Sequence, residues 1–457
     1  MKRFLANVNE IIHKYPTATF LISWVFVVLV AAVIFYLRYP YTYSEANFYA
    51  EDGTVFVKNI LEEGPLVGAL SLFNGYFVLG QYILVNVAMV INFIFGHGLE
   101  TLPKAIAVVS YLFWGLIVSL PYLLFRKKLG TILSLLTVLV LCFVPFGGYD
   151  YAIIGTIGNL KFAFFFAATL LVIFRNDLNL VKHRWQFVLI DLALLLCALT
   201  NIITVVLLPF CLWRYRDTIR NLFKKFTKTI KKLPFDFYSL IAIAASLLIY
   251  VVIVYARGIP DMPGYLDEPL IPSALLDILY RGSVYGLTFS ANSYMTDGVA
   301  VLLLVISAAL AIISKQRVIL LFIGFAIIVN VLGFALSRPG ITHLYQAYTG
   351  DGGPGLFFYA GTMLFIFAIA YAVSGWFNQQ KLSGKFVVAL VTIAFVLVVA
   401  PASGSPEASH ASIAKRPSFQ AEVDRVCAIK PTPDFVEMGV YPAENWTLTL
   451  PRDQVCS

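Results

Sequence analysis

Charged residues are scarce in this chain. They make up only 13% of its 457 residues, whereas hydrophobic residues make up 60%. An ordinary soluble domain has about 25% charged and about 45–50% apolar residues, so this composition excludes a soluble globular protein and predicts a polytopic membrane protein. The net charge of +8 does not indicate a nucleic-acid partner, because basic residues in membrane proteins chiefly set orientation.

Several chemical motifs are also absent. The sequence has no GxxxxGK[ST] loop, so an ATP-driven pump is not indicated. It has neither His-Glu-x-x-His nor paired Cys-x-x-Cys, which excludes the common zinc motifs. Of the five cysteines, Cys427 and Cys456 lie in a polar tail. In an oxidising compartment they could close this tail with a disulfide, and the sequence leaves open whether they do.

Eleven apolar runs are long enough, or nearly long enough, to cross a membrane. They are 17–37, 77–95, 102–125, 129–147, 160–174, 187–213, 237–255, 299–313, 318–336, 355–376 and 386–400. Lys and Arg residues collect in cytoplasmic loops. The basic N-terminus and the basic segments 126–128, 175–184 and 214–232 should therefore all be cytoplasmic.

These basic segments all fall in the cytoplasm only if two of the runs do not cross the membrane as single helices. Run 77–95 carries three amide side chains, so it lies in the outer interface rather than crossing. Run 187–213 has basic flanks on both sides, so it forms two short helices with a tip near Thr200 and Asn201. The prediction is an all-α transmembrane helical bundle of about 11 spans, with a cytoplasmic N-terminus and an extracytoplasmic C-terminus.

The chain divides into two parts on this basis. Residues 1–402 form a transmembrane domain, and residues 403–457 form a small extracytoplasmic tail. Within the first part, residues 38–101 form a first outer loop with membrane-lying helices, one of them over 55–61, whose apolar residues share a helical face. Residues 214–235 form a cytoplasmic basic amphipathic helix, which suits an anionic membrane surface.

An adjacent pair of carboxylates, Glu51 and Asp52, follows the first span in the sequence Tyr-Ala-Glu-Asp-Gly. Asp52 stands before Gly-Thr and an apolar helix, so it suits an N-cap of helix 55–61, while Glu51 suits a solvated loop residue. Alternatively, one of them is a general base that takes a proton from a hydroxyl, a role that partial burial favours by raising the pKa. The local sequence leaves both interpretations open.

The layout resembles the GT-C superfamily of integral membrane glycosyltransferases. The shared features are a first span, a long outer loop with an acidic motif, and a Leu102-Pro103 entry into the next helix. A pair of short helices in mid-chain and a second outer carboxylate, Asp150, also fit. The resemblance covers roughly the first half of the chain in layout and only a few residues in motif.

The resemblance implies a sugar donor carried on a polyprenyl phosphate. An acidic residue of the first loop would deprotonate the acceptor hydroxyl, which attacks the anomeric carbon, usually with inversion. This role is carried onto Asp52, with Glu51 in reserve and Glu45 as a weaker third candidate. Many family members have Asp followed by Glu, whereas this chain has Glu followed by Asp, so which of the two is the base stays open.

A leaving phosphate needs cationic or hydrogen-bonding partners. The candidate substrate-binding residues are Arg338, His343, Asp150, Lys161, Arg281 and Tyr345. For the basic residues the alternative is a charge that reaches the lipid head groups, and for the tyrosine it is an interfacial aromatic belt. A divalent cation could be held by Glu51, Asp52 and Asp150 with phosphate oxygens, although their spacing does not require one.

The sequence therefore predicts a multi-pass glycosyltransferase of the cell membrane. Its partners would be a polyprenyl-phosphate-linked sugar, a glycan or glycolipid acceptor and membrane lipids, with no nucleic acid. The alternatives are a transporter or flippase of lipid-linked sugars, and a polymerase or ligase that uses a lipid diphosphate. A transporter often carries charges near mid-membrane, whereas Asp191, the one acidic residue deep in a predicted span, lies near the cytoplasmic start of its helix, and no internal repeat is apparent.

Overall fold

The fold is known from a computed structural model. It describes residues 16–73, 77–144, 146, 150–178, 184–224, 237–257, 355–402, 417–430, 433–441 and 446–456, with scattered residues between 302 and 329. Three helices, Thr17–Arg38, Leu99–Leu129 and Tyr359–Gln379, are long and apolar enough to cross a membrane. The predicted helical class is confirmed and these helices indicate a membrane protein, whereas the number of spans stays a prediction.

Helices joined by short turns make up the first part of the chain. The α-helices are α1 (Pro16–Arg38), α2 (Tyr41–Ser44), α3 (Lys58–Glu63), α4 (Pro65–Gly68), α5 (Leu79–Ile94), α6 (Leu102–Val118), α7 (Leu120–Leu129), α8 (Thr131–Cys142), α9 (Asp150–Ile153) and α10 (Lys161–Ile173). A π-helix, Asp52–Val57, leads into α3. The 3-10 turns Leu99–Thr101 and Gly158–Leu160 precede α6 and α10.

The next helices are α11 (Arg184–Thr200), α12 (Leu208–Arg214), α13 (Arg216–Lys224), α14 (Tyr238–Arg257), α15 (Gly355–Gln379) and α16 (Leu382–Ala402). Asn201, between α11 and the 3-10 segment Ile202–Leu207, is extended, and its side chain accepts a hydrogen bond from the Ile203 amide. This break confirms the two helices predicted within 187–213. Helix α13 covers the start of the predicted amphipathic helix, and residues 225–235 lie outside the described residues.

The core forms where α6 crosses the neighbouring helices. Gly115 allows α6 to approach α1 closely, because a Cβ atom there would overlap the Val28 carbonyl oxygen. The neighbouring Trp114 is fully buried, stacks on Phe35 with ring centroids 5.1 Å apart, and donates from Nε1 to the Ile153 carbonyl at 3.1 Å. Buried aromatic packing and one satisfied indole N–H thus fix α1, α6 and α9 together.

Part of the segment 38–101, the predicted first outer loop, packs on the rest of the protein. Phe56, Val57 and Ile60 are buried, and the Phe56 ring lies edge-on to Tyr82 with centroids 5.1 Å apart. The apolar face predicted to lie on the membrane is therefore covered by the core. The exposed apolar side chains of this loop come later, at Leu66 in α4 and its neighbours.

The C-terminal residues form a small module with its own secondary structure. It contains α17 (Phe419–Cys427), β1 (Phe435–Gly439), β2 (Thr447–Pro451) and α18 (Arg452–Val455). The two strands are antiparallel, with Phe435 opposite Pro451 and Gly439 opposite Thr447. Cys427 and Cys456 are joined by a disulfide, which answers the question that the sequence left open.

Arg38, the last residue of α1, connects three segments. Its guanidinium donates to the carbonyl oxygens of Cys142 at 2.7 Å and Val144 at 3.2 Å, and it pairs with Asp150 Oδ1 at 2.8 Å. The Arg38 side chain is only 10% exposed and that of Asp150 only 9%. A buried ion pair with further hydrogen bonds is sensitive to the loss of either partner, because the other charge is then left uncompensated.

We expect Arg38→Met to destabilise the fold by about 3–5 kcal/mol, because it leaves the Asp150 carboxylate buried without its partner. The measurement is thermal unfolding in detergent. Arg38→Met combined with Asp150→Asn should recover part of the loss, and the exposed Lys127→Met in α7 is the matched control. If the Arg38 variant were as stable as this control, the buried ion pair between Arg38 and Asp150 would not contribute to the stability of the fold.

Candidate functional site

The acidic pair lies at the start of an irregular helical segment. Asp52 is the first residue of the π-helix Asp52–Val57, and Glu51 immediately precedes it. Ala50, one residue earlier, has a φ of +33°, the left-handed backbone conformation that non-glycine residues seldom adopt. π-Helical turns and strained residues both occur frequently at functional sites, which makes this turn the first place to examine.

The Asp52 carboxylate is bound by the backbone of a distant segment. It is only 1% exposed, its Oδ1 accepts from the Gly158 amide at 2.7 Å, and its Oδ2 accepts from the Ile157 amide at 2.9 Å. The N-cap position of the π-helix is Glu51, which makes no side-chain cap hydrogen bond, and both Asp52 oxygens bind the distant amides. The expectation that it caps helix 55–61 is therefore wrong. It instead binds the amides that lead into α10, where the helix dipole favours negative charge.

Burial decides the protonation of Asp52. The pKa of Asp52 is raised to about 7. The largest cause is removal of the carboxylate from water, and the neighbouring Glu51 charge also raises the pKa. The two backbone hydrogen bonds lower the pKa but do not cancel these effects. Asp52 therefore ionises near neutral pH, well above the ordinary range of an aspartate.

Gly158 allows both carboxylates to come close to the backbone. A Cβ atom at this residue would lie 3.3 Å from Asp52 Oδ1 and 3.5 Å from Glu51 Oε2. A side chain here would crowd Asp52 Oδ1, which would have to shift by a few tenths of an ångström, and would be in van der Waals contact with Glu51. Both carboxylates of the pair therefore lie near Gly158, in the turn that leads into α10.

Glu51 differs from Asp52 in its exposure. It is half-buried, and its side chain has no hydrogen-bond or ion-pair partner among the residues that the structure describes. A carboxylate with solvent access and no fixed partner can reach a ligand, whereas Asp52 is enclosed and both its oxygens are occupied. Of the two acids, Glu51 is the one whose carboxylate is not occupied by a partner among the described residues.

Lys161 places a positive charge at the start of α10, one helical turn after Gly158. Its Nζ lies 5.6 Å from the Phe73 ring centroid and 5.5 Å from that of Phe162. The backbone here is held by Asn201, whose Nδ2 donates to the Lys161 carbonyl at 2.9 Å. Of the predicted substrate-binding residues, Lys161 is the one that the described structure brings next to the segment bound by Asp52.

Three side chains that sequence reasoning missed hold this segment. The Tyr359 hydroxyl donates to the Asn159 carbonyl at 2.8 Å and accepts from the Ala163 amide at 3.1 Å. Gln81 Nε2 donates to the Gly158 carbonyl at 3.4 Å, and Asn201 holds Lys161 as described above. The sequence signal was weak: three polar side chains within apolar runs, far apart along the chain.

The remaining predicted residues are not gathered here. Asp150 is bound to Arg38 in a buried ion pair, and its role in binding substrate stays a prediction. Burial raises the pKa of Asp150, with the Arg38 guanidinium opposing the shift. The four other predicted residues lie outside the described residues: Arg281, Arg338, His343 and Tyr345.

The predicted cation-binding trio is not assembled. Within the described ranges, no group of three or more His, Cys, Asp or Glu side chains could hold a metal ion. Asp52 is bound by two amides and Asp150 by Arg38, so Glu51 alone of the three keeps an unoccupied carboxylate in this part of the chain. These residues therefore do not fit the divalent-cation site considered from the sequence.

No protein-family model matches the chain, and no curated protein matches it significantly.

The raised pKa of Asp52 predicts a pH-dependent stability. In the unfolded chain an aspartate ionises near pH 3.9, whereas native Asp52 ionises at about 7, so rising pH removes the proton first from the unfolded state. Relative to Asp52→Asn, which cannot ionise, wild type should lose on the order of 4 kcal/mol between pH 4 and pH 7. Thermal melts of both proteins across this range measure the difference, and a constant difference would contradict the raised pKa.

Proposed function

We propose that this protein is a membrane glycosyltransferase that moves a sugar from a polyprenyl phosphate to a hydroxyl of a cell-surface glycan or glycolipid. One observation carries the proposal: an accessible carboxylate, Glu51, is fixed beside a buried carboxylate, Asp52, against the start of α10, with Lys161 one turn further on. A base and a cation are the two charges that sugar transfer from a lipid phosphate requires, and here both belong to segments that meet at the start of α10.

The reaction follows from these two charges. The Glu51 carboxylate accepts the proton of the acceptor hydroxyl while the hydroxyl oxygen forms a bond to the anomeric carbon. The bond between that carbon and the phosphate oxygen breaks, and its electron pair leaves with the polyprenyl phosphate. Attack from the side opposite the leaving group inverts the anomeric configuration. Lys161 stabilises the negative charge that develops on the phosphate.

Asp52 acts as a positioning residue in this scheme. The sequence suggested Asp52 as the base and Glu51 as the reserve, and we reverse the two roles because both Asp52 oxygens are engaged by backbone amides. Asp52 holds the turn against residues 157 and 158, and this contact fixes the direction in which Glu51 projects.

Transport of lipid-linked sugars is the rival function. The sequence offers little for it, because Asp191, the one acidic residue deep in a predicted span, lies near the predicted cytoplasmic start of its helix. In the structure Asp191 pairs with the buried Arg175 at 2.7 Å, so its charge is balanced within the protein. A balanced pair requires no substrate to compensate it, which favours the enzymatic proposal.

We expect Glu51→Gln to lower kcat by about 10²–10⁴-fold, the usual contribution of a general base, with the KM for the donor little changed. The assay uses the purified protein in liposomes with radiolabelled polyprenyl-phosphate hexoses and a panel of glycan acceptors. Glu62→Gln, an exposed glutamate of α3, is the matched control and should be fully active.

Three outcomes would count against the proposal. The catalytic assignment fails if Glu51→Gln transfers sugar at the wild-type rate. If Asp52→Asn alone abolishes transfer in a protein that remains folded, the roles of the two acids must be exchanged. If wild type moves the lipid-linked sugar across the bilayer without transferring it, the protein is a transporter.

The cation has its own test. Lys161→Met should lower kcat/KM by about 10–100-fold, because a charge-assisted contact to phosphate contributes about 1.5–3 kcal/mol. Lys104→Met removes an exposed lysine from the first turn of α6 and should have no effect. If the Lys161 and Lys104 variants were equally active, Lys161 would not bind the leaving phosphate.

A further inference from the structure

The C-terminal module packs on the residues that lead into the acidic pair. Backbone hydrogen bonds join the Phe419 amide to the Ala46 carbonyl at 2.9 Å and the Tyr441 amide to the Phe48 carbonyl at 2.9 Å. The Phe48 and Phe419 rings meet edge-on with centroids 4.5 Å apart. Because all of these contacts are buried, the module is continuous with the core and is not a separate tail.

Asn47 adds side-chain bonds to the same contact. Its Nδ2 donates to the carbonyl oxygens of Pro417 at 3.0 Å and Gly439 at 3.3 Å. One side-chain amide of the loop therefore binds the module both before α17 and at the end of β1. Strand β2 also contacts the π-helix Asp52–Val57 directly. The module thus touches the loop both before and after the acidic pair.

The module also holds the strained residue next to the pair. Ala50, at φ +33°, is the sole non-glycine residue with a positive φ among those the structure describes, and its amide donates to the Tyr441 carbonyl at 2.6 Å. A left-handed conformation costs a non-glycine residue on the order of 1–2 kcal/mol, so it persists only where surrounding contacts enforce it. Here the contact that enforces it comes from the module.

The shape of the module depends on its covalent closure. The disulfide joins the end of α17 to the residue after α18. The Arg452 guanidinium supports the same junction, donating to the carbonyl oxygens of Val426 at 2.9 Å and Cys427 at 2.6 Å. Because α17 begins with Phe419, this junction also fixes the helix that contacts the loop.

We propose that the C-terminal module is a positioning element for the candidate site: it holds Ala50 in the left-handed conformation, which directs Glu51 toward the acceptor, and the Cys427–Cys456 disulfide keeps it in place. This inference rests on the proposed function for its catalytic consequence. It identifies a part of the chain far from the acidic pair in sequence on which sugar transfer depends.

Two phenylalanines of the module supply a matched pair of variants. Phe419→Ala removes the buried ring that contacts Phe48, whereas Phe435→Ala removes a ring that is 62% exposed. We expect Phe419→Ala to lower kcat about 10-fold or more with the KM for the donor within about 2-fold of wild type, and Phe435→Ala to behave as wild type. Asn47→Ala, which cuts two bonds from the loop side and leaves the module's own residues intact, should give the same pattern as Phe419→Ala.

A rescue variant separates positioning from general destabilisation. Glycine adopts positive φ without the steric cost that alanine bears. Ala50→Gly combined with Phe419→Ala should therefore recover a measurable part of the kcat lost in Phe419→Ala. A double variant no more active than Phe419→Ala would show that the module only stabilises the fold.

Hydrogen exchange provides a readout that does not need activity. In the Cys427→Ser, Cys456→Ser double variant, the peptide containing residues 157 and 158 should exchange faster than in wild type, because the shifted turn withdraws the Asp52 carboxylate from their amides. If wild type transfers no sugar, the proposed function fails while this measurement still tests the module. Unchanged exchange together with wild-type kcat in Phe419→Ala and Asn47→Ala would overturn the inference.

Discussion

The candidate site depends on one contact, in which the buried Asp52 carboxylate accepts hydrogen bonds from the amides of Ile157 and Gly158. Burying a carboxylate is costly, and two backbone donors at the start of a helix offset only part of that cost, as the raised pKa indicates. The contact joins two segments separated by more than a hundred residues. It is formed only when both segments are in place, so the acidic turn and the start of α10 hold each other in position.

The sequence was informative where the structure of a segment depends on its own composition and flanking residues. Composition predicted the helical class, and basic flanks predicted the break that occurs at Asn201. The partners of the acids were not predictable, because they are set by contacts between distant segments. Asp52 before Gly-Thr has every local property of an N-cap, yet its carboxylate binds amides about a hundred residues away. Nothing near Asn47 in the sequence indicates that it will bond to Pro417 and Gly439.

Three acidic residues with similar sequence settings have three different environments. Asp150 is neutralised by Arg38 and belongs to the framework, Asp52 is bound by backbone amides, and Glu51 keeps solvent access. A carboxylate is useful as a base only if it can meet the proton it removes, so accessibility, and not pKa alone, separates the proposed base, Glu51, from the two enclosed aspartates. The acidic motif predicts which turn to consider, and the surroundings of each carboxylate support the roles proposed for them.

The contact between the module and the first loop also constrains the membrane topology. Residues 46–50 and Tyr441 are hydrogen-bonded, so both lie on the same side of the membrane, and the chain between them must cross an even number of times. We propose that this shared side is extracytoplasmic, because a disulfide suits an oxidising compartment and cytosolic thiols are kept reduced. The distribution of Lys and Arg predicts the same orientation, with the basic N-terminus before α1 in the cytoplasm. On this proposal the chain crosses the membrane an odd number of times, as the predicted eleven spans do, and the acidic pair faces the exterior.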